Sequence, residues 1–117
     1  MTKRYHISLP RDFSRFPGYR YVSQGPNSGE KFRKQLVRAL KSHDLIVVDL
    51  DGTTGIGSSF LDEAFGGLVF AEGFSPAELR RRIEVRSSLD ESYLITVNEA
   101  IRRAEKTRMV ERTSVSA

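Results

Sequence analysis

Two carboxylates and two hydroxyls stand where an apolar run ends. Leu45-Ile46-Val47-Val48 leads into Asp49-Leu50-Asp51-Gly52-Thr53-Thr54, and Ser58-Ser59 follows a glycine-containing turn. Carboxylates at i and i+2 past a strand end can share a hard cation, and one of them can attack phosphorus. Serines at a helix start can accept the first N–H groups of that helix, or carry a phosphate there. The chain has no Cys, and His6 and His43 are its only histidines. That composition removes disulfides, a cysteine nucleophile and a thiolate metal site, and argues against a histidine cage; both His read as structural or surface residues.

The elements that must hold these groups follow from spacing. Residues 5–9 alternate and start the domain as a strand. Residues 10–29, punctuated by Pro10, Pro17, Gly18, Gly25, Pro26 and Gly29, read as loop with a short second strand at 18–23. Ser28 caps a helix over 29–42 with Phe32, Leu36 and Leu40 inward and Lys31, Lys34, Arg38 and Lys41 on a solvated face. Residues 45–50 suit a central strand buried on both faces. Ser58 or Ser59 then opens a helix to about Glu72, closed by Gly73, with Leu61, Ala64, Phe65 and Leu68 inward. Ser75-Pro76-Ala77-Glu78 is a capping-box start for a short helix, and residues 83–85 form a further strand. Ser88-Leu89-Asp90-Glu91 opens a long helix to about Arg108. The fold class is α/β, a sandwich of helices against a small mixed sheet, as one domain over 1–108 with a flexible tail at 109–117.

Charge is blocked along the chain. Its 117 residues carry 19 Lys and Arg against 15 Asp and Glu, a formal net charge of +4. No Lys or Arg lies between Lys41 and Arg80, and within that stretch residues 51–79 hold five acids, Asp51, Asp62, Glu63, Glu72 and Glu78. A basic total invites a nucleic-acid reading, but this acidic middle would repel phosphate, and the chain carries no aromatic-and-basic stacking motif of the single-strand kind. Nucleic acid therefore ranks behind the other partners. Gly25-Pro26-Asn27-Ser28-Gly29-Glu30-Lys31 lacks the spacing of a phosphate-binding loop and reads as a turn into a helix. No apolar run approaches the roughly 20 residues of a membrane span. The N-terminal MTKRYHISLP lacks a signal-peptide core, which predicts a cytoplasmic protein.

Two resemblances meet in one segment. Ile46-Val47-Val48-Asp49-Leu50-Asp51-Gly52-Thr53 resembles the first motif of the haloacid dehalogenase superfamily. That resemblance implies Mg²⁺-dependent phosphotransfer, with Asp49 as nucleophile and Asp51 as acid/base. The rest of the chain departs from it: Lys106 is the only Lys after Asp51, and no G-D-x-x-x-D pattern follows. The longer stretch from Ile46 to Asp62 resembles the core of STAS domains, the fold of anti-sigma factor antagonists. Ser28-Gly29-x-x-Phe32-Arg33, Val48-Asp49-Leu50, Ser59-Phe60-Leu61-Asp62-Glu63-x-Phe65-Gly66 and Ile83-x-Val85 are similar to a STAS-like family of uncharacterised bacterial domains, over about residues 28–105.

The STAS resemblance implies a non-enzymatic signalling module, without cofactor or metal, whose partner is a protein such as a histidine-kinase-like ATPase. Self-association is compatible with the same reading. In the antagonists the first Ser of a D-S-S-G motif is phosphorylated by that partner. Here the matching residue is Ser58, with Ser59 beside it; Gly57 replaces the Asp and Phe60 the Gly. A phosphate would add roughly −2 charge beside Asp51, Asp62 and Glu63. The simpler role for both serines is capping. The expected partner surface is Asp51, Thr53, Thr54, Ser58, Ser59, Asp62, Glu63, Gly66 and Phe70. Gly66-Gly67 within a helix costs roughly 1 kcal/mol per residue against Ala. Either close packing on a neighbour or a flat contact face at Ser59, Asp62, Glu63, Gly66 and Phe70 would account for it.

Overall fold

The uninterrupted apolar run becomes the middle of the sheet. In the computed structural model, which describes residues 3–115 and the side chains of residues 3–109, it is strand β2 (Leu45–Asp49). Strand β1 (Arg4–Ser8) and strand β3 (Ile83–Arg86) flank it, both parallel to it, in the order β1-β2-β3. Val48 pairs with Ile7 on one side and Val85 on the other. Ile46, Val47 and Val48 are fully buried, as befits the centre of a parallel sheet covered on both faces.

The sheet is parallel throughout rather than mixed, because residues 18–23 do not form the expected strand. Tyr19 adopts a left-handed backbone, φ 68°, which a strand cannot contain. That bend aims two successive carbonyls at the next helix: Gly29 N donates to Tyr19 O (3.1 Å) and Glu30 N to Arg20 O (3.0 Å). The helix they receive is α1 (Gly29–Ser42), whose N-cap Ser28 accepts from Lys31 N at 3.2 Å. Only a single 3₁₀ turn, Val22–Gln24, remains of the expected strand.

Helix α1 buries Phe32, Leu36 and Leu40 as its spacing predicts, and also Arg33. Its C-terminal carbonyls are closed from a distance. Arg82, the last residue of α4 (Pro76–Arg82), donates to Leu40 O (2.6 Å), His43 O (2.9 Å) and Asp44 O (3.2 Å) while pairing with Glu78. Helix α4 starts as its sequence predicts, with Ser75 Oγ accepting from Glu78 N.

Residues 58–70 form one helical rod in three parts: α2 (Ser58–Leu61), a π-helical stretch (Asp62–Gly66) and α3 (Gly67–Phe70). Phe60 of the rod stacks on Phe32 (centroids 5.9 Å), and Phe13 packs against both. Helix α5 (Ser92–Val115) starts one turn later than expected, because the N–H groups of Ser88 and Leu89 are bound by Asp51. Asp90 Oδ1 accepts from Ser92 N instead (3.0 Å). The helix also runs past Arg108, since no Gly or Pro follows to stop it. The flexible tail expected at 109–117 is thus helical through Val115; the last two residues lie outside the described ones.

Two stability predictions follow from these contacts. A Cβ at Gly29 would sit 2.4 Å from the Phe60 carbonyl oxygen, whereas one at Gly18 would meet nothing within 4 Å. Gly29→Ala is expected to cost about 1–3 kcal/mol and Gly18→Ala under about 0.5 kcal/mol in urea unfolding; equal effects would refute the close approach. Asp12 accepts from Arg11 and from Ser8 N (2.8 Å), which hold its carboxyl below the usual carboxylate range. A group depressed on folding stabilises above its unfolded pKa, about 3.9, and that contribution disappears as pH falls through the folded value. Asp12→Asn should flatten the acid side of the stability profile, and an unchanged slope would show that the pair contributes nothing.

Candidate functional site

The turn leaving β2 is tied down on three sides. Asp49 Oδ1 accepts from Asp51 N (2.9 Å), and Thr53 Oγ1 donates to Leu50 O (2.7 Å). Both oxygens of Asp51 are engaged across the sheet end, by Ser88 N (3.1 Å) and Leu89 N (2.9 Å). Thr54 N donates to Arg15 O, and Ile56 N to the hydroxyl of Tyr93 on α5. Asp51 is thus a clamp between the β2 turn and the segment after β3, and a role as acid/base would first require it to release two N–H groups. Lys106 lies on exposed α5, near the far end of the side chains described. Among the described residues no three His, Asp or Glu side chains gather in a form that could hold a metal ion.

The fixed turn delivers Ser58 and Ser59 to the surface. Gly57, not a serine, is the N-cap of the rod, with no side-chain capping bond. Ser58 and Ser59 are its first two helical residues, both exposed. Capping therefore does not account for them, and neither hydroxyl bonds a described group. Ser59 borders a groove of about 400 Å³ with Tyr19, Arg20, Tyr21 and Gln24.

Beyond the serines, the rod is bound by arginines. Arg33 Nη1 pairs with Glu63, and its Nε with Glu72 at 2.9 Å. Arg20 Nη1 pairs with Asp62 at 2.6 Å and Glu63 at 3.5 Å. The Asp62 hydrogen bond, ahead of the lesser Glu63 contact, raises the pKa of Arg20 further above its ordinary value. Arg103 of α5 holds the other Asp62 oxygen at 3.1 Å and reaches Glu99 at 3.9 Å. Glu72, Arg33, Glu63, Arg20, Asp62, Arg103 and Glu99 thus form one alternating ladder. With Glu78 on Arg82 and Asp51 on backbone N–H groups, every acid of the base-free stretch is partnered inside the molecule.

This ladder runs through the expected contact face. Asp62, Glu63, Gly66 and Phe70 do line one side of the rod, but they border a groove of about 300 Å³ that Arg20 and Arg103 also line, with Ala104 and Thr107 of α5. Gly66 is buried: a Cβ there would lie 3.0 Å from Ala100 O of α5. A Cβ at Gly67 would meet Arg33 Nη1 at 2.7 Å. Close packing therefore accounts for both glycines. Asp51, Asp62 and Glu63 are committed internally, and Thr53 to Leu50 O. Thr54, Ser58, Ser59 and Phe70 remain outward, Phe70 at 52% exposure. Tyr19 and Tyr21, 60% and 47% exposed, join them and were missed. The signal was there: a Pro/Gly-rich loop that still carries Phe16, Tyr19, Tyr21 and Val22 has few ways to bury them.

A parallel three-stranded sheet whose strands alternate with helices defines the class as an α/β domain. A family model described as a STAS-like domain of unknown function (DUF4325) matches residues 28–93, and the chain belongs to this family. The matched stretch runs from the α1 cap to the tyrosine that pins Ile56; Tyr19, Arg20, Tyr21 and Arg103 lie outside it. No curated protein and no solved structure matches the chain. Among the described residues no helix is long and apolar enough to cross a membrane.

Arg33→Met keeps length but leaves Glu72 without its cation and Glu63 with Arg20 alone. Because the Arg33 side chain is only 9% exposed, the expected loss is about 3 kcal/mol, read by denaturant unfolding. Adding Glu63→Gln and Glu72→Gln should recover part of it. A loss no larger than that of an exposed ion pair, under about 1 kcal/mol, would show that the ladder does not hold the helices together.

Proposed function

We propose that this STAS-like domain is a non-enzymatic regulatory module that works by binding a protein partner, and that phosphorylation of Ser58 or Ser59 switches the contact. The observation that carries this reading is a contrast among serines. Ser8, Ser28 and Ser75 stand at helical starts and accept backbone N–H groups there. Ser58 and Ser59 stand at a helical start, exposed, with hydroxyls that bond nothing described. A hydroxyl without structural duty, presented at the surface by a turn held from three directions, is suited to modification. The outward residues beside it, Thr54, Tyr19 and Tyr21, offer aromatic and hydroxyl contacts of the kind enriched at protein interfaces. The partner class is a kinase-like ATPase that both docks here and phosphorylates the serine, as the antagonist resemblance implies. The protein acts in the cytoplasm on this reading.

Peptide mapping of the protein from its native host should find one phosphate on the peptide holding Ser58 and Ser59, and the phosphorylated form should lose its partner in a pull-down. Unmodified serines under every signalling condition would sink the proposal. Stability gives a second check. Ser58→Ala and Ser59→Ala should each change unfolding free energy by less than about 0.5 kcal/mol, while Ser28→Ala and Ser75→Ala should cost about 1 kcal/mol each.

A further inference from the structure

A cavity of about 180 Å³ lies where the rod, α4, β3 and the first turns of α5 meet, away from the serines. Its walls are apolar, with Phe65 and Leu68 from the rod, Leu79 from α4, Val85 from β3 and Leu94 and Ile101 from α5. Two independent observations mark it as more than a packing gap. The first is incomplete burial. A parallel sheet needs both faces covered, yet Ile83 and Val85 of β3 are only half-buried, as are Leu94 and Ile101 opposite them. The cavity occupies the place that a covering group would fill.

The second observation is the chemistry of its polar lining. Arg80 and Asn98 are the polar side chains at the cavity, both exposed, and neither bonds a described group. Arg82, half a turn further along α4, is held by three carbonyls and Glu78, so the difference is one of placement. A groove of about 470 Å³ continues from Arg80 and Asn98 between α4 and α5. Of its acids, Glu99 is paired with Arg103, and Glu105 lies about two turns beyond Asn98 on α5. A guanidinium without a counter-ion thus stands beside an apolar hole.

We propose that this cavity binds a small monocarboxylate with a compact apolar tail of about six to eight carbons. A hole of about 150 Å³ lined by Leu, Ile and Phe side chains accepts a benzene, which sets the size of the tail. The carboxylate meets the Arg80 guanidinium, whose planar fork matches it with two N–H donors, and the Asn98 amide supplies a further donor. An amine would be repelled by Arg80, and an alcohol would leave the fork half used.

Titration calorimetry of the full chain with phenylacetate and heptanoate, against phenylacetamide and heptanamide, tests this, with methyl NMR to locate the ligand. The carboxylates should bind about tenfold tighter than the amides, as one charge-assisted contact predicts. Shifts should centre on the methyl groups of Leu79, Ile83 and Leu94. Arg80→Gln, at an exposed position, should erase the gap between acid and amide, and Arg81→Gln should leave it intact. Amides binding as well as acids, a gap that survives Arg80→Gln, or no perturbation of those methyl groups would each overturn the proposal.

Discussion

The structure depends on one buried cation. Arg33 lies on the inward side of α1, and a guanidinium taken out of water needs counter-charges, so carboxylates must come to it. Glu63 and Glu72 do, from the beginning of the π-helical stretch and from just past the end of the rod. For the guanidinium to lie between them the rod backbone must pass directly beneath it, and Gly67 is the residue that permits this. Arg33 Nη1 also lies 3.5 Å from the Glu63 carbonyl within the π-helical stretch. π-helical stretches inside helices accompany special side-chain arrangements, and here the arrangement is this cation and the glycine below it. The ladder continues through Arg20 and Asp62 to Arg103, so α1, the rod and α5 are fastened by alternating charges above a shared apolar core.

That fastening changes the meaning of the charge pattern. A basic frame around an acidic, base-free centre looks, along the chain, like an acidic surface awaiting a partner. In three dimensions the frame folds onto the centre: Arg20 and Arg33 come from before it, Arg82 and Arg103 from after it. Burial decides how much each contact contributes. Arg33 with Glu63 is largely out of water, where removing one partner is costly, while Arg103 with Glu99 is exposed and long at 3.9 Å. Of the cations outside these pairs, Arg80 and Arg102 line the groove between α4 and α5.

Local signals were legible and tertiary ones were not. The central strand, the α1 stripe and the Ser75-Pro76 start each rest on neighbouring residues, and each stands where spacing places it. The strand expected at 18–23 fails because Tyr19 and Arg20 carbonyls serve α1, which lies further along the chain. The helix start expected at Ser88 fails because Asp51, 37 residues away, takes the N–H groups on which that start relied. Gly66-Gly67 announced close packing but not with what, since Ala100 and Arg33 are supplied by two different helices. The candidate site was half legible for the same reason. Ser58 and Ser59 could be picked out by position, but that Gly57 rather than either serine is the cap depends on the backbone path out of a turn clamped by Asp51 and Tyr93.

The ladder also alters what a phosphate at the serines would do. Beside free Asp62 and Glu63 it would add to a negative patch and act by repelling an acidic partner. Both acids are instead already paired, Asp62 with two arginines and Glu63 with two. The charge next to the rod's first turns is compensated, and Arg20, which borders the same groove as Ser59, offers its Nε and Nη2 for further hydrogen bonds. A phosphate at Ser59 would therefore meet a cation before it met an unpaired acid. Its effect on a partner would then arise from desolvation and bulk between Tyr19 and Tyr21, where the partner's own surface must come into contact, rather than from long-range repulsion. Added salt distinguishes the two mechanisms physically, because screening weakens repulsion between exposed charges but does nothing to a dianion that fills the space an aromatic contact needs.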